Sequence, residues 1–159
     1  MGMDVIGKRP KTEQGAYFRA NVWSWRPIHA LIEIANLRSG GRLITRDTML
    51  LMCSNDGAGL NSQKDCNALA DALERLLKKP CLITEHGLEI VEEDGERVIT
   101  FPRNSSPMMC DKEGRFWRPE DVKAGKVKEE ELRSPYGTSF GHVREFIAFL
   151  RSCGGFEVC

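Results

Sequence analysis

Gly15-Ala-Tyr-Phe-Arg-Ala-Asn-Val-Trp-Ser-Trp-Arg-Pro27 is the stretch that decides the fold, and it holds two of the three tryptophans in the chain. Over residues 15–24 its side chains alternate in character. One set is apolar: Phe18, Ala20 and Val22. The other set is large and forms hydrogen bonds: Tyr17, Arg19, Asn21 and Trp23. Because successive side chains of a strand point to opposite faces, the alternation predicts a strand over residues 15–24.

A helix is predicted directly after this strand. Pro27 suits the first helical position, where a missing N–H leaves no intrahelical hydrogen bond unmade. Apolar residues then recur at helical spacing, at Ile28, Leu31, Ile32 and Ala35. The pattern predicts a helix over residues 27–37.

Cap and turn residues predict the elements on either side of this stretch. Residues 3–6 are predicted to form a short strand. After the first helix come a short helix capped by Thr45 and a long amphipathic helix capped by Asn61 and stopped by Pro80. A β-hairpin then turns at Asp94-Gly95, where both residue types accept the backbone angles of a tight turn.

The segment over residues 102–138 is irregular, because it combines four prolines with glycines and a run of charged residues. A short strand near Phe116-Trp117 and a short helix after Pro119 are predicted within it. A last amphipathic helix, capped by Thr138 or Ser139, then leads to a final strand over residues 155–159.

Together the elements predict a single α+β domain over residues 1–159. Its expected architecture is a small, mostly antiparallel sheet packed with about three principal helices. A chain of this length buries roughly 68–70% of the surface that it exposes when unfolded.

The composition of the chain limits the classes of partner that the sequence predicts. The formal net charge is zero, so no global field attracts nucleic acid and we expect no nucleic-acid partner. No run reaches the roughly 18–20 apolar residues of a membrane span, and the N-terminal residues lack the pattern of a signal peptide. The sequence therefore predicts a cytoplasmic protein with no membrane partner, and its six cysteines are expected to be mostly reduced.

The polar face of the first long strand is the leading candidate for a binding site. Its residues, with the arginine that follows them, are Tyr17, Arg19, Asn21, Trp23 and Arg26. Arginine presents a planar fork of donors that suits carboxylate or phosphate, and tyrosine and tryptophan offer stacking surfaces.

A structural alternative explains the same residues. In it Trp23 and Trp25 are core anchors, and Arg19 pairs with a carboxylate such as Asp56 or Glu33. Large aromatic side chains dominate protein cores, so the sequence favours this alternative over a binding site.

The loop Asn55-Asp56-Gly57-Ala-Gly59 is a second candidate, since Asp56 is placed to serve as a metal ligand or general base. The loop lacks the alternating ligands of a calcium loop and the Lys-Ser/Thr ending of a phosphate loop. The sequence favours an ordinary turn over a site, because Asn, Asp and Gly are the usual residues of turns.

Metal and nucleophile sites have weak support. The sequence has no Cys-x-x-Cys and no His-Glu-x-x-His, so we expect no metal and no cofactor. A nucleophilic enzyme would combine Cys53 or Cys66 with one of the three histidines, but no local signature selects a pair. His29 lies at helical spacing from Glu33, and a contact between the two explains that histidine as well.

Three blocks of sequence carry a resemblance. The first is Met1-Gly-Met-Asp-Val-Ile-Gly-Lys8 with residues 17–27, the second is Asn55-Asp56-Gly57, and the third is Val143-Arg-Glu-Phe146 with Gly154-Gly-Phe-Glu-Val-Cys159. Together they resemble a family of small uncharacterised bacterial and phage-borne proteins. The resemblance implies a bacterial or phage setting. It implies no activity and no catalytic residues.

Two functions follow from these observations. The first is a small cytoplasmic binding or interaction protein that uses the face of residues 17–26 to contact a host protein or a small anionic ligand. The second is a small hydrolytic enzyme with Asp56 and a histidine near the same face. A cleft that gathers Arg19, Asn21, Asp56 and a histidine would favour the enzyme, whereas an exposed aromatic patch would favour the binding protein.

Overall fold

A computed structural model describes residues 2–159 apart from the side chain of Asn104, so Met1, with which the predicted domain begins, lies outside it. The predicted α+β class is confirmed. In chain order the elements are β1 (Gly2–Gly7), α1 (Glu13–Ala16), β2 (Tyr17–Asn21), α2 (Val22–Arg38), α3 (Arg46–Leu51), α4 (Gln63–Lys78), α5 (Cys81–Thr84), β3 (Glu89–Glu93), β4 (Glu96–Thr100), a 3₁₀ turn (Arg103–Ser105), β5 (Met109–Cys110), β6 (Phe116–Trp117), α6 (Pro119–Lys123), a second 3₁₀ turn (Glu129–Glu131), β7 (Gly137–Ser139), α7 (Phe140–Leu150) and β8 (Phe156–Val158).

The first sheet joins the two ends of the chain. Its strands lie in the order β2-β1-β8, and both pairings are antiparallel. Val5 of β1 pairs with Phe18 on one side and Val158 on the other, and all three side chains are buried. The predicted strands at residues 3–6 and 155–159 are therefore confirmed as the centre and one edge of this sheet.

The predicted boundary between the first long strand and the helix is wrong by five residues. β2 ends at Asn21 and α2 begins at Val22, so Pro27 lies inside the helix and not at its first position. The cause is a capping box: Asn21 Oδ1 accepts the N–H of Ser24 at 2.8 Å, and Ser24 Oγ accepts the N–H of Asn21 at 3.2 Å. These bonds satisfy orphan donors of the first helical turn, and they outweigh the one bond that Pro27 removes.

The core lies between the inner face of the first sheet and the three long helices α2, α4 and α7. Trp25 is its largest side chain, with 1% of its surface exposed. Its ring meets that of Phe146 edge to face at a centroid distance of 5.8 Å. Its indole N–H donates to the carbonyl of Met52 at 2.8 Å, which satisfies the polar atom that this large side chain buries.

The cap of the long amphipathic helix differs from the prediction by one residue. Ser62 caps α4, since its Oγ accepts the N–H of Asp65 at 3.1 Å. Asn61, the predicted cap, instead accepts a hydrogen bond from Lys8 Nζ at 2.6 Å. The amide of Asn61 therefore ties the N-terminal segment to α4.

The second sheet has the order β3-β4-β7 and is also antiparallel. The predicted hairpin is confirmed, because β3 and β4 are joined by Asp94 at φ 52° and Gly95 at φ 78°. Two positive φ angles match the turn whose twist suits a two-residue hairpin. β7 comes from the end of the segment predicted as irregular, and Ser139 caps the helix that follows it.

The remaining strands, β5 and β6, form a small hairpin that is organised by a carboxylate. Asp111 accepts hydrogen bonds from Trp117 Nε1 and Arg115 Nε, each at 2.9 Å. It also accepts the N–H groups of Glu113 and Arg115 at 3.0 Å. The bond from Trp117, followed by those from Arg115, lowers the pKa of Asp111 to about 2.

The glycines that follow α7 allow the end of the chain to pack closely against the start of α4. Gly155 has φ 97°, and a Cβ built there would lie 2.9 Å from the carbonyl carbon of Asn61. The backbone of Gly155 therefore packs directly against the start of α4, at a spacing that no side chain fits. Among the helices of the described residues, none is long and apolar enough to cross a membrane.

We predict that the ionised form of Asp111 stabilises the hairpin. Since its pKa is lowered on folding, the stabilisation is complete above the ordinary carboxyl range and is lost as the pH falls through about 2. The stability difference between wild type and Asp111→Asn, measured by urea unfolding, should therefore shrink from about pH 5 to about pH 2. Glu113→Gln is the matched control, and a difference that is independent of pH would contradict the assignment.

Candidate functional site

A cleft lies between the two sheets, where the edge strands β2 and β7 face each other. It has a volume of about 660 Å³. We call it the β2–β7 cleft and define it by its lining residues, which are Arg19, Ala20, Asn21, Ser24, Glu96, Gly137, Thr138, Ser139, Gly141, His142 and Glu145. It includes Arg19 and Asn21 of the predicted binding face together with a histidine, but not Asp56.

The cleft is built from two strand-to-helix junctions of the same kind. Asn21 ends β2 and caps α2, and Ser139 ends β7 and caps α7 by accepting the N–H of His142 at 3.0 Å. Helix N-termini attract anions. At α7 this position is already filled from within the chain, because Glu96 Oε1 accepts the N–H of Gly141 at 3.1 Å. The arrangement therefore gives less support to a free anion as the ligand.

Arg19 is exposed and stands opposite Asp4 in the β1–β2 pair. The carboxylate of Asp4 accepts a hydrogen bond from the Tyr17 hydroxyl, and that bond raises the pKa of Tyr17. Arg19 forms no ion pair with any residue of the described range. The alternative in which Asp56 or Glu33 neutralises Arg19 is therefore wrong, and its guanidinium is open to a partner.

Trp23 and Trp25 have opposite surroundings, because both lie in the first turn of α2 and not on one strand. Trp25 is a core anchor, as the structural alternative predicted, but Trp23 is 40% exposed. The ring of Trp23 lies 4.9 Å from that of Tyr136 and 5.8 Å from that of Phe116, which is 48% exposed. The Arg26 guanidinium lies over the Tyr136 ring, with its Cζ 4.9 Å from the ring centroid. We call Trp23, Phe116 and Tyr136 the aromatic cluster.

Phe116 and Tyr136 were not singled out from the sequence. Both come from residues 102–138, where no periodicity indicates which side chains share a face. The only available signal was that Phe116 belongs to a predicted short strand and that Tyr136 precedes a helix cap. Their contact with Trp23 depends on the path of the whole segment, which local pattern does not specify.

Asn55 and Asp56 lie on another part of the surface. Their loop adds to the first sheet beyond β8, since Gly57 N donates to the carbonyl of Val158 at 2.8 Å. Asn55 Nδ2 reaches the carbonyl of Gly2 at 3.5 Å, and the Asp56 carboxylate accepts a bond from the Ser54 hydroxyl. Two strands, β1 and β8, therefore separate this loop from β2. The structure does not bring Asp56 together with a histidine of the cleft.

A cysteine, a histidine and a glutamate do meet, but at a different place. Cys53 Sγ lies 3.4 Å from His29 Nε2, and His29 Nδ1 lies 3.3 Å from Glu33 Oε1. His29 is buried, and its Nε2 is also 2.7 Å from the carbonyl of Met49. A bond to that carbonyl needs the proton on Nε2, so the nitrogen next to the thiol is a donor and not a base. The histidine mainly ties α2 to α3.

The thiol of Cys53 is not activated. Burial raises its pKa first, the charge of Glu33 raises it further, and Arg26 lowers it only in part. A thiolate is the nucleophilic form, so a raised pKa reduces reactivity at neutral pH. The geometry resembles that of a nucleophilic site, whereas the electrostatics do not.

We predict that Cys53 alkylation by iodoacetamide, followed by mass spectrometry, has a pH midpoint above that of an ordinary thiol, because burial and Glu33 disfavour the thiolate. Glu33→Gln should lower that midpoint, while Glu13→Gln, a change on another helix, should leave it unchanged. A midpoint below the ordinary value would restore Cys53 as a candidate nucleophile.

No three His, Cys, Asp or Glu side chains lie close enough to hold a metal ion within the part of the chain that the structure describes. Cys66 and Cys153 are buried free cysteines whose thiols form a hydrogen bond with each other. Comparison with known proteins adds no further constraint, since no family model, no curated protein and no solved structure matches this chain.

Proposed function

We propose that this chain is a non-enzymatic binding protein that recognises another protein through Arg19, Asn21, Trp23 and Arg26 together with the aromatic cluster. The observation that carries the proposal is the exposure of Trp23 and Phe116 in contact with each other, next to the half-buried Tyr136. The exposed Arg26 lies over Tyr136, and the exposed Arg19 lines the β2–β7 cleft. Neither arginine forms an ion pair with a described residue. These side chains leave both apolar surface and charge available to a partner.

The composition of this surface is typical of energetic centres of protein interfaces. Trp, Tyr and Arg are the residue types whose truncation most often weakens a complex strongly. Trp23 and Phe116 keep a large exposed area even though they contact each other. Covering that area would contribute the hydrophobic part of binding, and the Arg26 guanidinium, already stacked on Tyr136, would orient a charged group.

The partner is expected to be acidic where it meets this surface. Arg19 and Arg26 are exposed cations, and no described residue of the chain supplies a carboxylate within ion-pair distance, so carboxylates of a partner would complement them. We propose a protein of a bacterial host as the partner, following the resemblance to bacterial and phage-borne proteins, and the cytoplasm as the setting. Both parts of that assignment stay predictions.

The hydrolytic alternative has less support. It needs Asp56 near a histidine, but the Asp56 carboxylate bonds to Ser54 and does not line the cleft. His142 does line the cleft, 3.4 Å from Glu145, but no activated nucleophile accompanies it there. A histidine paired with an exposed glutamate three residues later is common on helix surfaces.

Selection of phage-displayed peptides on the purified protein tests the proposal. We expect enrichment of peptides that combine acidic and aromatic residues. Their affinity should fall by about tenfold or more on Trp23→Ala and on Arg26→Ala, because interface centres lose that much on truncation.

The matched control is Leu37→Ala, which removes a 65% exposed side chain near the other end of α2. It should leave the affinity unchanged. Thermal melting of each variant shows whether the fold is intact. Enrichment of peptides whose binding is equal for wild type and both surface variants would contradict the proposal, and so would a selection that enriches nothing.

A further inference from the structure

The free edge of β2 presents its backbone to the cleft. Asp4 N donates to the carbonyl of Cys159 at 2.9 Å, and Cys159 N donates back to Asp4 O at 2.7 Å. The backbone groups of Asp4 therefore face the β8 side. Backbone groups of neighbouring residues alternate in direction, so those of Met3 and Val5 face β2.

In the register of that pair, Met3 is opposite Ala20 and Val5 is opposite Phe18. The backbone groups of Ala20 and Phe18 are thus used within the sheet. The N–H and C=O of Arg19, which lies between them, point away from β1. Because Arg19 also lines the cleft, its backbone faces the cleft without a ladder partner.

The facing edge of β7 has the same property. Phe101 N donates to the carbonyl of Tyr136 at 3.3 Å, which makes these two residues a hydrogen-bonded pair. The next such pair, two residues along each strand, is Ile99 with Thr138. Gly137 lies between Tyr136 and Thr138, so its N–H and C=O point away from β4 and toward the cleft.

The two edges run in opposite directions across the cleft. Trp23 follows β2 and Tyr136 precedes β7. Their ring centroids lie 4.9 Å apart at one end of the cleft. Phe18, near the start of β2, and His142, just beyond β7, meet at the other end at 4.8 Å. A strand placed between them would be antiparallel to one edge and parallel to the other, a mixed arrangement that sheets accommodate.

We propose that an extended acidic segment of the partner protein binds in the β2–β7 cleft by strand addition to β2, with β7 on its other side. This inference rests on the proposed function and specifies the mode of binding. Added strands gain main-chain hydrogen bonds from an exposed edge and specificity from alternate side chains. Here two facing edges, on Arg19 and Gly137, supply donors and acceptors to the same segment.

The positive charge of Arg19 favours an acidic side chain at the opposite position of the added strand. A residue paired directly with Arg19 places its side chain on the same face of the sheet, beside the guanidinium. The two carboxylates of the cleft contact the start of α7: Glu96 accepts the N–H of Gly141, and Glu145 lies 3.4 Å from His142. Arg19 has no carboxylate partner among the described residues. An aspartate or glutamate at the paired position therefore complements the Arg19 guanidinium.

The probe is an equimolar pool of capped heptapeptides with Asp at the centre and Val, Thr, Ile or Tyr elsewhere. Two matched pools carry Lys or N-methyl-Asp at the centre. Amide hydrogen exchange of the ¹⁵N-labelled full chain is measured by NMR with each pool, together with chemical shifts of the Trp23 indole and the affinity.

We expect the Asp pool to slow the exchange of the Arg19 and Gly137 amides at least about tenfold, as new hydrogen bonds form. The Lys and N-methyl-Asp pools should bind at least about tenfold more weakly. Arg19→Ala should abolish the preference for Asp over Lys but keep the loss caused by N-methylation, because its backbone remains.

Strand addition is overturned if the Asp pool does not slow these two amides. If the Trp23 indole then still shifts, the proposed binding surface stands and only its mode is wrong. If neither the amides nor the indole respond, both proposals are contradicted. An equal affinity for the Asp and N-methyl-Asp pools also overturns strand addition, whatever the total affinity is.

Discussion

The capping box between Asn21 and Ser24 is the interaction on which the surface of this protein depends. It ends β2 at Asn21 and starts α2 one residue later. A helix that begins there turns Trp25 into the core and leaves Trp23 outside, although the two are only two residues apart. Without that cap, the strand pattern of residues 17–23 would continue and place Trp23 beside Arg19 on one sheet face.

The other residues of the binding surface come from parts of the chain that are distant from β2 in sequence. β7 repeats the strand, cap and helix arrangement, with Ser139 in the role of Asn21. Tyr136, which precedes β7, then packs on Trp23, and Phe116 reaches the same ring from the β5–β6 hairpin. The first and second sheets thus meet through side chains at one end while their edge strands stay unpaired with each other. The two sheets therefore enclose a cleft that has unpaired backbone N–H and C=O groups of β2 on one side and of β7 on the other.

Local chemistry explains which parts of this fold were predictable from sequence. Asp94-Gly95 allowed only a tight hairpin, and Thr45 and Ser139 are strong caps, so these elements were confirmed. The predicted helix start at residue 27 was wrong because the Asn21 cap satisfies the first turn of a helix that begins at Val22, and the one hydrogen bond that Pro27 removes is a smaller effect. Among the site residues, Arg19 and Asn21 do line a cleft, but Tyr136 and Phe116 could not be placed, since their contacts depend on tertiary packing.

β2 has a free edge, on which the Arg19 backbone faces the cleft. Amide hydrogen exchange of the protein alone measures this most directly. The Phe18 and Ala20 amides, which are bonded to β1, should exchange slowly, and the Arg19 amide between them should exchange at least about tenfold faster. Equal protection of all three amides would mean that the β2 edge is already covered, and it would contradict the account.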